Sequence, residues 1–331
     1  MLIYEKNIEE IKGVYGTVKN VIPSDADELL IESEELRYKK WFNDGKGGIV
    51  DADGKAIVVV VDGEVVIPKG GKDPHEADPE NPESIKDIIN EAIAEGKDVT
   101  VIVDADMESH GIIIPEGANV TFDLGDSEIS AIPDENGDYA GSTGTKTQAM
   151  QLLKGSTVVI KGGTITGNSG NPKTKMVIQN YSNLTLDGVI VQDAGTDNYA
   201  LSNNFGEIHL KNGTQINATG NHIAFDLWYG MAKDGSYDDG VTVYIDTPDV
   251  VINGPIEFGH HKRITDEEQF LAHTHLYVCE GYDISSLNVI NSTSGSSVEY
   301  EFVFNDEIGY YELVPKKAEE EPKEVTNENG N

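Results

Sequence analysis

Cysteine and arginine are nearly absent from this chain of 331 residues, which contains Cys279 as its one cysteine and Arg37 and Arg263 as its two arginines. A single cysteine excludes an internal disulfide framework. Because Cys279 lies in the apolar run "HLYVCEG", we expect a buried, inert thiol rather than a nucleophile. The scarcity of arginine also limits any chemistry that needs several guanidinium groups to hold an anionic substrate.

Basic residues as a whole are few: Lys and Arg number 24 against 59 Asp and Glu, a formal net charge of -35. A surface of this charge repels phosphate backbones, so nucleic acid is excluded as a partner. The charge favours solubility at high local concentration, as on a surface that carries many copies of one protein.

Long apolar runs are missing too. The first residues, "MLIYEKNIEEIKG", contain no apolar segment long enough for a signal peptide, and no membrane-spanning run follows. We therefore expect a protein that is made in the cytoplasm, is not exported by the usual route and has no membrane partner.

The first part of the chain predicts a small β-rich domain over residues 1–70. In "AIVVVVDGEVVIPKGG" the pair Asp62-Gly63 separates two Val-rich runs, which predicts a β-hairpin. Residues 71–82 are rich in proline and acidic residues and read as an extended linker.

A helix is predicted over residues 83–96. Asn81 suits the N-cap, Pro82 suits the first helical position, and Gly96 ends the pattern. An apolar stripe with helical spacing runs along it, formed by Ile85, Ile88, Ile89, Ala92 and Ile93. Because this helix directly precedes many strands, we expect it to cap the N-terminal end of a stack of coils.

A repeat of about 25 residues occupies the centre of the chain, as shown by "STVVIKGGTITG", "SNLTLDGVIVQD" and "GEIHLKNGTQINA". Equivalent core positions fall at intervals of 26 and 24 residues: Val158, Leu184 and Ile208, then Ile160, Leu186 and Leu210. Each copy turns a corner at Gly162, Gly188 or Asn212, residue types that tolerate a left-handed backbone. The prediction is a mainly β protein whose residues 97–295 form a right-handed parallel β-helix, a solenoid.

Two further features follow from this repeat. Asn180 and Asn204 lie 24 residues apart, so we expect them to stack as a hydrogen-bonded ladder. Residues 296–315 alternate aromatic and polar side chains and predict a C-terminal β-hairpin, whereas residues 316–331 read as a disordered acidic tail.

No catalytic site is identified. β-helical glycosidases need carboxylates that converge on one face, whereas the aspartates of the coils are scattered and are expected to be solvated: Asp123, Asp187, Asp193 and Asp226. "GHHKRI", from Gly259 to Ile264, superficially resembles a motif of polygalacturonase-type hydrolases, but the accompanying aspartate motifs are not found. We interpret it as a polar loop beside an inserted helix.

Two motifs suggest binding. His273 and His275 alternate along an expected strand, so that both imidazoles would share a face and, in a trimeric fibre, three such pairs could surround a metal. The alternative is a pair of solvated or hydrogen-bonded strand histidines. Trp41-Phe42 and Trp228-Tyr229 are either sugar-stacking platforms or packing residues. No cofactor site is identified beyond this structural metal.

The segments "VYGTVKNVIPSDADELL" and "FNDGKGGIVDADGKAIVVVVDGEVVIP" resemble the attachment region of phage head-fibre and capsid-decoration proteins. The resemblance covers the pattern of residues 1–70 and, beyond them, the architecture alone. It implies that a small N-terminal domain docks on the major capsid protein and that a pectate-lyase-like β-helix projects outward, commonly as a homotrimer, on the capsid surface of the virion.

Three functions remain open at this point. The first is a virion structural protein, a head fibre or capsid decoration protein, that adheres to host or environmental glycans. The second is a polysaccharide-binding or depolymerising tailspike enzyme, which would need a cluster of carboxylates on one coil face. The third is a non-viral adhesin or surface-layer module, which would need an export signal or anchor.

Overall fold

The computed structural model describes residues 98–316, apart from 104–105, 142–145, 171, 194–198, 231–239 and 265–266. Before residue 98 it describes only the backbone of five strands: β1 Leu29–Leu30, β2 Lys40–Asn43, β3 Ile49–Val50, β4 Ile57–Val61 and β5 Glu64–Val66. The predicted linker (71–82), the predicted capping helix (83–96) and residues 317–331 of the predicted tail lie outside the described residues.

The remaining strands follow one another with little helix between them. They are β6 Val99–Val103, β7 Met107–Ser109, β8 Ile112–Ile114, β9 Asn119–Ala131, β10 Gln148–Leu152, β11 Thr157–Thr166, β12 Met176–Asn180, β13 Asn183–Asp187, β14 Ile190–Gln192, β15 Tyr199–Asn203, β16 Glu207–Lys211, β17 Gln215–Asn217, β18 Ile223–Tyr229, β19 Val241–Ile245, β20 Val251–Asn253, β21 Ile256–His260, β22 Thr274–Cys279, β23 Val289–Asn291, β24 Tyr300–Asn305 and β25 Tyr310–Pro315. Helix α1 spans Glu267–His273, and a short 3-10 helix spans Ile284–Ser286.

These strands stack as the coils of a solenoid. One sheet has the order β23-β21-β18-β15-β12-β10-β8, and a larger sheet contains β19-β16-β13-β11-β9-β6 in its path, with β14, β17 and β20 pairing beside it. The neighbours within these runs are parallel. The chain is therefore mainly β, with parallel sheets arranged as in a β-helix.

The predicted repeat is confirmed by the register of the strands. Leu184 lies opposite Val158 on one side and Ile208 on the other, while Leu186 lies between Ile160 and Leu210. All of these side chains are buried in a single apolar core, together with Val189 and Val191 of the next strand. Each coil thus contributes alternate side chains to the bore, which is why the pattern of period two repeats every 23 to 26 residues.

The predicted corners are confirmed as well. Gly162, Gly188 and Asn212 have φ angles of 62°, 69° and 50°, and Asn212 is the non-glycine residue with positive φ among the described residues. An asparagine tolerates this conformation better than other residues that carry a Cβ atom.

The predicted pairing of Asn180 with Asn204 is wrong by one residue. Asn180 lies opposite Asn203, to whose side-chain oxygen its amide donates a hydrogen bond at 3.1 Å. The corner between β12 and β13 contains two residues, whereas the corner between β15 and β16 contains three. The extra residue makes the interval 23 on one side of the corner and 24 on the other.

The C-terminal end of the stack changes direction. Strands β24 and β25 form the predicted hairpin, and β25 pairs antiparallel with β22. Helix α1 is inserted between β21 and β22, as interpreted from "GHHKRI", and buries Phe270 completely against Tyr229, Phe258 and His260.

The hairpin predicted at Asp62-Gly63 is confirmed by the antiparallel pairing of β4 with β5, in which Val61 lies opposite Glu64. Strand β4 also pairs antiparallel with β6, with Val59 opposite Val101, so this hairpin extends the larger sheet at the first coil. Among the described residues, no helix is long and apolar enough to cross a membrane.

Candidate functional site on the seven-stranded sheet

One lateral row of the seven-stranded sheet is polar in five successive coils. The register places its members side by side: Gln151, Gln179, Ser202, Asp226 and Glu257. Their chain neighbours Ile178, Leu201 and Phe225 are fully buried in the bore. Because side chains alternate along a strand, the polar row points to the opposite face of the sheet. We call these five residues the inner row.

A second row on the same face is partly exposed to solvent. It consists of Tyr181, Asn204 and Trp228, which follow directly after the aligned residues Asn180, Asn203 and Leu227. Neighbouring parallel strands lie about 4.8 Å apart, so an aromatic ring, an amide and a second aromatic ring succeed one another across three coils. We call these three residues the outer row.

The inner row holds the outer row in place through hydrogen bonds. The Gln179 amide donates to the Tyr181 hydroxyl at 2.8 Å, and the Asn204 amide donates to Oγ of Ser202 at 2.7 Å. Tyr181 also stacks on Phe205, with ring centroids 5.7 Å apart. The side chains that face solvent are therefore pre-organised by buried partners, which is the arrangement that a binding site requires.

Asp226 is the most perturbed ionisable group of the inner row. Its carboxyl group is buried, accepts a hydrogen bond from the Asn203 backbone amide at 2.7 Å and lies 3.3 Å from the Ser202 hydroxyl. Burial raises the pKa of Asp226 to about 7; the negative charge of Glu257 raises it further, while the bonds from Asn203 and Ser202 oppose this. Asp226 is therefore partly protonated near neutral pH.

Glu257 is the next member of the row and is only partly buried. The Tyr199 hydroxyl donates a hydrogen bond to its Oε2 at 2.9 Å. Burial, followed by the charges of Asp226 and Glu257, raises the pKa of Tyr199, so the phenol stays protonated as a donor. The face thus offers amide, hydroxyl and carboxyl groups beside aromatic rings.

The expectation that the four coil aspartates are all solvated is wrong for two of them. Asp123 is exposed and Asp187 partly exposed, but Asp193 and Asp226 are buried. The sequence did carry a signal for the inner row, since in each strand a polar residue directly follows an apolar core residue: Met150-Gln151, Ile178-Gln179, Leu201-Ser202, Phe225-Asp226 and Ile256-Glu257.

Asp193 belongs to a separate cluster at the corner after β14. Its Oδ2 lies 2.6 Å from Nδ1 of His222 and accepts hydrogen bonds from the Thr219 backbone amide and hydroxyl. The carboxylate thereby satisfies the donors of the next coil's corner, which is a structural use of the group.

The expectation that His273 and His275 share a strand is wrong, because the chain changes from α1 to β22 between them. His273 stacks on Tyr229 and lies 2.8 Å from the Gln269 carbonyl, while His275 stacks on Tyr277. Among the described residues, no group of three or more His, Cys, Asp or Glu is placed to hold a metal ion. A metal shared by several chains stays a prediction.

The other predicted residues differ in their surroundings. Tyr229 is fully buried and is a packing residue, whereas Trp228 is partly exposed on the outer row. Trp41 and Phe42 lie in β2, where only the backbone is described. Cys279 ends β22 partly rather than fully buried, and burial raises the pKa of its thiol, which disfavours the nucleophilic thiolate.

Comparisons with known proteins do not assign a family: no family model, no curated protein and no solved structure matches the chain.

Proposed function

We propose that this protein is a glycan-binding structural protein of a virion, a head fibre or capsid decoration protein. Residues 1–70 dock on the major capsid protein, and a right-handed β-helix, capped by the helix of residues 83–96, projects from the capsid surface as a homotrimer. The resemblance of the first 70 residues and the acidic composition support the location, since like-charged copies crowded on a particle repel one another.

The observation that carries glycan binding is the outer row. Sugar rings present apolar faces to aromatic side chains and hydroxyl groups to amides and carboxyls. Tyr181 and Trp228 provide the rings, and Asn204 between them provides an amide that Ser202 holds in place. Because the buried inner row fixes these groups, little conformational entropy is lost on binding.

The stacked coils support the role of a projecting rod. Apolar side chains fill the bore from Val101 in β6 to Val278 in β22 without interruption by a second core. Each coil contacts mainly its neighbours, as in other solenoids, so stiffness arises from repetition.

Glycan binding is tested with the full-length protein on an array of bacterial and environmental polysaccharides. We expect Trp228→Ala to lower affinity at least tenfold for any polysaccharide that the unchanged protein binds. Tyr277→Ala, which removes a partly buried tyrosine from the other sheet, serves as the control. An array on which nothing binds, or equal losses in both variants, would contradict the proposal.

Capsid docking is tested separately by co-sedimentation with particles that lack this protein. A variant without residues 1–56 retains β4 and β5, whose pairing with β6 belongs to the first coil. We expect this variant to stay in the supernatant while the full chain sediments. Sedimentation of both would place the docking surface outside the first 56 residues.

A depolymerising enzyme is the second candidate, favoured by the neighbouring carboxyl groups of Asp226 and Glu257. In a glycosidase the carboxyl group with the raised pKa acts as the acid, here Asp226, and its ionised partner acts as base or nucleophile. Release of reducing ends from a bound polysaccharide, abolished by both Asp226→Asn and Glu257→Gln, would establish this activity. Binding without release favours adhesion.

A further inference from the structure

We propose that Asp226 and Glu257 make the outer-row site selective for glycans without carboxylate groups, so that polyuronates are rejected. This inference rests on the glycan binding proposed above and adds the class of ligand. It concerns the side of the site on which Trp228 lies, since Asp226 precedes Trp228 by two residues in β18 and therefore points to the same face.

The electrostatic setting of the pair is one-sided. The charged group that acts on Asp226 is Glu257, and the contacts of both carboxyl groups come from neutral donors: Asn203, Ser202 and Tyr199. The ion pairs formed by lysines in the described residues lie elsewhere, with Asp138, Asp246 and Glu299 as their acceptors. No arginine or lysine contact in this part of the chain is thus directed at an anion on the face.

A uronate bound over this site would bring a third carboxylate next to two acidic groups. Like charges that cannot be hydrated repel strongly, because the interaction is weakened less in a partly buried site than in water. The ligand would either protonate Asp226 and itself or leave. The hydroxymethyl group of a neutral hexose has no such penalty, and it can donate to Glu257 or Asp226 and accept from Tyr199.

The face also lacks the usual means of holding anions. Carboxylates and phosphates are recognised by bidentate arginine, by lysine or by helix N-termini. The inner and outer rows consist of amides, hydroxyls, carboxyls and aromatic rings, and their strands bring no helix N-terminus to the face within the described residues. Neutral hydrogen-bonding partners match this set of groups.

The test compares each neutral polysaccharide with a derivative in which the C6 hydroxymethyl groups have been oxidised to carboxylates. Backbone and linkage are unchanged, so the pair differs in charge alone. We measure affinities of the full-length protein at pH 7.5 and at low ionic strength for every backbone that it binds. We expect the oxidised form to bind at least tenfold more weakly than its neutral parent.

Three variants locate the origin of this difference. Glu257→Gln and Asp226→Asn keep the shape of each side chain, and we expect each to narrow the difference at least threefold. Glu301→Gln removes the same charge from an exposed position of β24 and should leave the difference unchanged. Because Glu257 is only partly buried, its variant remains informative even if Asp226→Asn unfolds.

The outcomes separate this inference from the function on which it rests. Oxidised and neutral forms that bind equally well would overturn the selectivity and leave glycan binding intact. An equal effect of Glu301→Gln would assign the rejection to the net charge of -35 and would also overturn the role of the pair. If no neutral or oxidised polymer binds, the proposed function fails and the inference fails with it.

Discussion

The side-chain amide of Asn180 donates to Oδ1 of Asn203 in the next coil, and both side chains are fully buried. Asn180 also accepts hydrogen bonds from the backbone amide and the hydroxyl of Ser182, and its amide donates to the Ser182 carbonyl. One asparagine thus satisfies a whole corner and links it to the following corner. Buried polar groups of this kind are costly when a partner is removed.

Asn180→Ala should therefore lower the free energy of unfolding by about 2–4 kcal/mol, because the buried donors of Ser182 lose their acceptor. Urea denaturation followed by circular dichroism measures this change. Asn183→Ala alters an exposed asparagine of the same corner and should change stability by less than about 0.5 kcal/mol. Similar values for the two variants would show that the ladder contributes little.

Glycine at the corners is needed for two different reasons, which Gly162 and Gly117 separate. Both have positive φ angles, 62° and 75°, but a Cβ atom at Gly162 would lie 2.4 Å from the Gly125 carbonyl oxygen, whereas at Gly117 it would meet nothing within 4 Å. We expect Gly117→Ala to cost about 1–2 kcal/mol through its backbone conformation alone. Gly162→Ala should cost at least about 1–3 kcal/mol more, measured by urea denaturation, through the added clash between coils. Equal costs would contradict the close approach.

Asp226 should make stability depend on pH in an unusual direction. Because its pKa is raised to about 7 in the folded protein, the folded state binds a proton more tightly than the unfolded state. Stability is then lost as pH rises from about 4, the ordinary pKa of an aspartate, to about 7, and changes no further above that value. Asp226→Asn should remove this loss, which is on the order of 3 kcal/mol.

The measurement is the free energy of unfolding of both proteins at several pH values between 4 and 8. The unchanged protein should lose stability relative to Asp226→Asn across this range. Parallel curves for the two proteins would show that Asp226 is ionised in the folded state throughout. Asp187→Asn is the control, since Asp187 is a partly exposed aspartate of the other sheet.

His209 should contribute with the opposite dependence. Its Nδ1 lies 2.8 Å from Oδ2 of Asp246, and this hydrogen bond raises the pKa of His209; its ring also stacks on Tyr244. A raised histidine pKa adds stability that is fully present below about 6.5 and is lost as pH rises through the folded value.

A double-mutant cycle with His209→Asn and Asp246→Asn isolates this pair from the loss of ring stacking. We expect a coupling energy below about 1 kcal/mol at pH 5.5, because the imidazole is partly exposed to solvent. The coupling should decrease by pH 9, when the imidazole is neutral. A coupling that does not change with pH would mean that the contact is a neutral hydrogen bond.

The chain's local patterns were sufficient for much of the fold. The spacing of Leu184, Leu186 and their equivalents predicted which residues share the bore, because period two and a repeat of about 25 residues leave few arrangements for parallel strands. The corner at Gly188 and the C-terminal hairpin were predictable for the same local reason. The pairing of Asn180 was misjudged because the interval differs on the two sides of one corner.

The candidate site was much less predictable. Asp226 and Glu257 lie 31 positions apart, and between them are β19, β20 and two connecting segments. Nothing local distinguishes Asp226 from Asp123, which is exposed. His273 was assigned to a strand because alternation with His275 fits a strand, whereas helix α1 ends at His273.

The sequence by itself determined the period of the coils, the identity of the bore residues and the corners, since these depend on local backbone preferences and on alternation along a strand. Only the tertiary structure decided that Asp226 is buried, that Glu257 lies beside it and that Tyr181, Asn204 and Trp228 form a row. The physical reason is that lateral neighbours belong to different coils. Their alignment depends on the number of residues in every loop between them, and burial then changes the pKa of a group whose own sequence context is ordinary.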